Sequence, residues 1–171
     1  VWDNSPFPEF NSAYYESTDL INCHSHMTYE LIKDKVSTNV GFIPHALPDD
    51  VFFPLTDEQI QRCRQEILGS QRADDFVLFW VNRNARRKRP GDVLLSWKMF
   101  IDSVSEQYPD KRVPATLLMH TDPHDVEGPN LVAMAEKLGI FDSVIFSNQR
   151  IEFDKMNVLH NISDACINIA L

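Results

Sequence analysis

Residues Phe76–Val81, read Phe-Val-Leu-Phe-Trp-Val, are apolar at every position. Side chains alternate across a strand, so a run without alternation has to be covered on both faces. That is the pattern of a central strand in a parallel sheet, and parallel strands need crossover connections, usually helices. The neighbouring sequence supplies them. Thr56-Asp57-Glu58-Gln59 carries a capping box, and Ile60, Cys63, Ile67 and Leu68 follow at helical spacing, with Gly69 as the stop. Pro90-Gly91-Asp92 opens a second helix whose apolar stripe is Val93, Leu94, Trp97, Phe100, Ile101 and Val104. A strand over 115–120, a helix opened by Gly128-Pro129-Asn130 and ended by Gly139, a strand over 144–147, a short helix over 154–161 and a strand over 165–171 complete the series. This alternation predicts an α/β fold: a Rossmann-like parallel sheet of strand order 3-2-1-4 with helices on both faces. Ligands of such sheets bind beyond the carboxyl ends of the strands, here near the reversal between the first and fourth.

Upstream, Pro44, Pro48 and Pro54 punctuate residues 43–54, which fits an extended crossing rather than an element interior. A strand over 19–24 and a helix over 27–35 precede it. The organisation expected is a first segment over 1–42, a linker over 43–55 and a Rossmann-like domain over 56–171. A chain of 171 residues allows one domain or a little more, and 43% hydrophobic with 24% charged residues excludes dominant disorder. Twenty-five acidic against 16 basic residues give a net charge of −9, which argues against nucleic acid as a partner. No apolar run approaches the roughly 20 residues of a membrane helix. Residues 1–5 lack the features of a signal peptide and include no Met, so a piece of a longer chain is expected. Cys23, Cys63 and Cys166 are odd in number and far apart, which points to a reducing, cytoplasmic setting.

The segment that carries chemistry is 82–89. Five of its eight residues are cationic: Arg83, Arg86, Arg87, Lys88 and Arg89. Arg matches phosphate with a planar fork, Lys adds a point charge, and the helix N-terminus that follows favours anions. The loop therefore reads as an anion pocket suited to a diphosphate; a solvated basic loop or a site for an acidic partner fits the same composition. The glycines, at 41, 69, 91, 128 and 139, never cluster, so neither a dinucleotide fingerprint nor a P-loop is present. Bound phosphate would be held by side chains. His120 and Asp122, ending the second strand, are candidate ligand contacts. Cys23-His24-Ser25-His26 and His120 with His124 lack a third convergent ligand, so no metal is expected, although His24 and His26 would share one face of a strand. No Gly-x-Ser-x-Gly elbow occurs. Cys63 and Cys166 read as buried, inert thiols, and Trp80, Trp97 and Phe100 as packing residues.

Taken in order, these segments resemble the middle of a GT-B fold nucleotide-sugar glycosyltransferase of the retaining group called family 4. Asp19-Leu20-Ile21-Asn22-Cys23-His24-Ser25 resembles the last strand of that family's N-terminal domain, and Val40-Gly41-Phe42-Ile43-Pro44-His45-Ala46 through Pro54 its crossing into the second. Val81-Asn82-Arg83 with Lys88 resembles the loop whose Arg and Lys grip the donor diphosphate. Residues 146–151 resemble the loop that meets the nucleobase, and 164–171 the strand that follows. Asn82, His120 and Ser147 stand where the family usually has Gly. The resemblance implies a transferase using a UDP- or GDP-linked sugar, without a cofactor or metal, toward an unknown acceptor. It implies catalytic roles for Arg83 and Lys88, and donor contacts for Arg83, Lys88, His120, Asn148, Arg150 and Ile151. Arg83 and Lys88 would stabilise charge on the leaving diphosphate, so replacing either by Ala in a full-length enzyme is expected to suppress turnover more than donor binding. On this reading the chain is a truncated piece, inactive alone, whose full-length form could touch a membrane surface peripherally. Its last strand would be an apolar edge covered by residues 20–25 or by self-association. The alternative is a non-catalytic α/β module that takes a phosphorylated ligand or acidic partner through residues 83–89.

Overall fold

The computed structural model describes residues 11–109 and 111–170, which form two compact units, one ending at Asp49 and the other beginning at Asp50. The sequence features read at residues 1–5 and at Leu171 lie outside the described residues.

In the first unit, helix α1 (Ser12–Glu16) leads to strand β1 (Leu20–Cys23), helix α2 (His26–Ile32) and strand β2 (Asn39–Phe42). β1 and β2 pair in parallel, Leu20 opposite Asn39 through Cys23 opposite Phe42. Ile21, Cys23 and Ile32 form its small core. One expectation is corrected here. The strand stops at Cys23 and Ser25 is already the N-cap position of α2, so His24 and His26 do not share a strand face. His24 instead turns its Nδ1 to the Ile43 carbonyl at 2.8 Å and stacks on His45 with ring centroids 4.2 Å apart. β1 finds its partner in β2, in a two-stranded sheet of its own.

The second unit runs α3 (Asp57–Leu68), β3 (Phe76–Val81), α4 (Pro90–Ser105), β4 (Ala115–His120), α5 (Leu131–Lys137), β5 (Val144–Ser147), α6 (Met156–Asn161) and β6 (Ala165–Cys166). All pairings are parallel, in the order β5-β4-β3-β6. This is the order the alternation predicts. Crossovers of one hand explain where the helices go: β3 to β4 to β5 steps one way and puts α4 and α5 on one face, and the return to β6 puts α6 on the other. Accordingly Trp80, Leu117 and Met119 share a core with Val93, Leu94 and Trp97 of α4 and Leu131 and Ala135 of α5. Val77, Phe79 and Leu118 point the opposite way, against Leu68, Leu159 and Ile162. Trp80, Phe79 and Val77 are fully buried, each burial being worth about 1.5–3 kcal/mol.

Local chemistry fixes the ends of these elements. Thr56 Oγ1 accepts the Gln59 N–H at 3.3 Å and the Gln59 side chain accepts the Thr56 N–H at 2.9 Å, closing the capping box. Asn130 caps α5 by accepting the Ala133 N–H at 3.0 Å. The proline-rich stretch, which cannot pair its own backbone, borrows partners from α6. Phe53 and Leu55 donate to the side chains of Asn157 (3.3 Å) and Asn161 (2.8 Å), and both asparagines donate back to the Phe53 carbonyl. β6 is shorter than its sequence run: after the Ile167 N–H reaches the Phe79 carbonyl at 2.9 Å the ladder stops. Cys166 is exposed there, its Sγ 3.8 Å from His160 Nδ1, and is not the buried thiol its apolar context suggests. Among the described residues no helix is long and apolar enough to cross a membrane.

Candidate functional site

The sheet order reverses between β3 and β6, and the loop leaving β3 at that point is 82–89. Its last part is a 3-10 turn over Arg86–Lys88, then Arg89 in the left-handed region (φ 51°, ψ 43°), then Pro90 as the first residue of α4. The loop's polar contacts divide its cations into two sets. Arg83 is paired: Nε donates to Asp125 Oδ2 at 2.7 Å, Nη2 to Asp125 Oδ1 at 3.3 Å, and Nη1 lies 3.2 Å from Glu127 Oε1. Arg89 is paired too, Nε to Asp92 Oδ2 at 2.6 Å. Arg86, Arg87 and Lys88 make no ion pair among the described residues. Arg86 and Arg87 line a cleft of about 430 Å³ with Ala85, Val126 and Glu127.

The loop after β4 is wired to this one. Asn84, fully buried, donates from Nδ2 to the Pro129 carbonyl at 2.9 Å. Asp125 Oδ1 accepts the Glu127 N–H at 3.0 Å, and the Asp125 carbonyl accepts the Gly128 N–H at 3.1 Å. The Arg83 guanidinium and the Glu127 N–H hold the Asp125 carboxyl below its usual range, and Asp125 in turn keeps Arg83 more firmly protonated. Sequence reading named Arg83 but missed Asp125 and Glu127 as its partners. The available signal was two carboxylates in one rim loop facing a basic loop on the adjacent strand.

His120 ends β4 directly opposite Ser147 at the end of β5, and its Nδ1 lies 3.0 Å from Ser147 Oγ. Burial pushes its imidazole below the ordinary value of 6.5. A neutral folded ring beside an unfolded ring that still titrates at 6.5 makes stability fall as pH falls below 6.5, until the lowered folded value is reached. The expected slope is well under about 1.4 kcal/mol per pH unit, because the ring is only half-buried. Urea unfolding at pH 7.5 and 5.5 checks this: the loss in the native chain should exceed the loss in His120→Gln, and equal losses would refute it.

Asn148 and Arg150 are exposed in the loop after β5. Arg150 and Ile151 line an open cleft of about 700 Å³ together with Glu152, Phe153 and Met156. Asn82 and Asn168, 3.5 Å apart, link the loops after β3 and β6. Among the described residues no three His, Cys, Asp or Glu side chains converge as a metal site would require.

No family model matches the chain, and no curated protein matches it in sequence. Solved structures do share its fold. Anabaena Alr3699/HepE, crystallised in complex with UDP and glucose, superposes over 96% of this chain with a TM-score of 0.66 at 15% identity. A glycosyltransferase from Rickettsia africae superposes over 96% with a TM-score of 0.63 at 18% identity. The chain spans 42% of the length of each. What is common is the parallel α/β architecture with helices on both faces.

Proposed function

We propose that this chain carries most of the donor-binding domain of a retaining, family 4-like, nucleotide-sugar-dependent glycosyltransferase of the GT-B fold, together with the end of the domain before it. The observation that carries the reading is positional. The one strongly basic loop of an acidic chain opens at the β3/β6 reversal, where sheets of this order take their ligands. The likeness in fold to a protein solved with UDP and glucose supports the same reading.

In the proposed reaction the bond between the sugar's anomeric carbon and the donor diphosphate breaks, the electron pair leaves with the diphosphate, and the acceptor's nucleophilic atom bonds the anomeric carbon and releases its proton to the departing diphosphate. Negative charge grows on its oxygens. Arg83 and Lys88 lie in the loop where fixed cations would meet that charge as it develops, which lowers the barrier more than it tightens the ground state. Arg150 and Ile151 would border the nucleoside, and His120, held neutral at the rim, would offer a hydrogen bond without adding charge. The acceptor would come from outside the residues described.

Calorimetric titration of UDP and GDP into the full chain tests the site. One of the two should bind, and Arg83→Ala and Lys88→Ala should each weaken it about tenfold, the loss of one charge-assisted contact. Absence of binding by both nucleotides, or native affinity retained in both variants, would overturn the proposal.

A further inference from the structure

We propose that Asp125 and Glu127 act on Arg83 in opposite senses: Asp125 is a positioning residue that aims the guanidinium, while Glu127 is a stand-in anion that holds the ligand's place until a phosphate displaces it. This rests on the reading that the 82–89 loop receives a nucleoside diphosphate.

The geometry separates the two carboxylates. Asp125 meets Arg83 fork to fork, at 2.7 and 3.3 Å, through Nε and Nη2. It is itself fixed: only 15% of its side chain is exposed, and its Oδ1 also holds the Glu127 N–H. A carboxylate tied into its own turn and bonded in two places is a rigid template for a planar partner. Glu127 makes a single ion pair with Nη1, at 3.2 Å, and its side chain is 56% exposed. Exposed single pairs of this kind are weak and exchange readily. A guanidinium has five N–H donors. Asp125 takes two and Glu127 engages a third, on the nitrogen left outward by the Asp125 fork.

Charge favours the exchange. With both carboxylates in place the trio is net anionic, and it would repel the phosphate that Arg83 is to bind. Releasing Glu127 leaves a neutral, oriented Arg83–Asp125 pair with free donors. Releasing Asp125 would free charge as well, at the cost of orientation. Electrostatics alone therefore makes both substitutions tighten anion binding, whereas the positioning role of Asp125 reverses its sign.

The test is titration of inorganic pyrophosphate into the full chain by calorimetry, comparing the native protein with Glu127→Gln, Asp125→Asn, Arg83→Ala and the Arg83→Ala/Glu127→Gln pair. Glu127→Gln should bind three- to tenfold more tightly, and Asp125→Asn at least threefold more weakly. In the Arg83→Ala background Glu127→Gln should change nothing, which a general charge effect would not reproduce. Asn keeps the acceptor for the Glu127 N–H, so a thermal midpoint near the native one is expected; Glu127→Gln, at an exposed position, decides the matter if Asp125→Asn fails to fold. Unchanged or weakened binding in Glu127→Gln, tightening in Asp125→Asn, or a Glu127→Gln effect that survives loss of Arg83 overturns the inference. Pyrophosphate binding that Arg83→Ala weakens but Glu127→Gln does not alter removes this inference alone. No binding to any of the proteins removes it together with the diphosphate reading.

Discussion

Arg64→Ala is expected to lower the stability of the second unit by about 5 kcal/mol. Arg64 stands on α3 with 9% of its side chain exposed, and its guanidinium serves four acceptors. Nε donates to the Ile162 carbonyl at 3.0 Å, Nη1 to the carbonyls of Ala73 and Asp75 at 3.3 and 3.0 Å, and Nη2 to Asp164 Oδ2 at 2.8 Å. Asp164 Oδ2 also accepts the Val77 N–H at 2.7 Å. Arg64 thus satisfies backbone carbonyls of two segments, the turn entering β3 and the turn entering β6, and through Asp164 it is linked to the start of β3. Truncation orphans three carbonyls at about 1–3 kcal/mol each and removes a partner from Asp164, which is 41% exposed and recovers part of its loss from water. Domains of this size are stable by about 5–15 kcal/mol, so the variant sits at the edge of folding. Arg64→Lys should regain only a small part, because an ammonium cannot span acceptors arranged around a planar fork. Urea unfolding followed by far-ultraviolet circular dichroism measures this. A loss under about 1.5 kcal/mol would mean that water replaces the guanidinium at those carbonyls. The hub ties β3 to β6 at their amino ends, the end of the sheet opposite the 82–89 loop.

Much of this architecture could be read from residues in sequence. β3, β4 and β5 coincide with their apolar runs, since a strand covered on both faces lacks the polar alternation that would obscure it. The capping box over Thr56–Gln59 formed as its spacing requires, because every group in it is local. Features that depended on a distant partner were harder to see. β2 carries Gly41 and leads into Pro44, so residues 39–42 look like part of the crossing; its strand character comes from β1, 19 residues away in register. The exposure of Cys166 has the same origin. Its run is as apolar as a central strand, but what decides burial is a neighbour on the outer side of β6, and in the described sheet β6 is the edge. At the candidate site the sequence located the cations and not their state of pairing. Arg83 meets Asp125 across 42 positions of chain, and nothing within the 82–89 loop distinguishes it from Arg86 or Arg87, which make no ion pair among the described residues.

Gly128→Ala is the second large effect expected, and it acts on the site itself. A β-carbon at Gly128 would lie 1.9 Å from Asn84 Oδ1, 2.5 Å from Asn84 Cγ and 2.6 Å from the Asn84 carbonyl oxygen. Real contacts of that kind do not exist, so something has to move. The Asn84 side chain cannot swing aside, being fully buried and tied to the Pro129 carbonyl at 2.9 Å. Its backbone carbonyl cannot retreat without carrying the 82–89 loop away from the loop after β4. Overpacking against backbone costs about 3 kcal/mol, at the upper end for an added methyl. The same displacement pulls Arg83 from Asp125, which sits three residues before Gly128. Gly128→Ala should therefore lose both stability and pyrophosphate affinity, read by thermal unfolding and calorimetry on the same sample. Adding Asn84→Ala removes the 1.9 and 2.5 Å clashes and leaves the one at 2.6 Å, so the double variant should recover less than half of the stability. Full recovery would assign the constraint to the Asn84 side chain alone. A Gly128→Ala chain within about 1 kcal/mol of the native one would show that the two loops are not locked together, and the fixed Arg83–Asp125 geometry on which the site depends would fall with that lock.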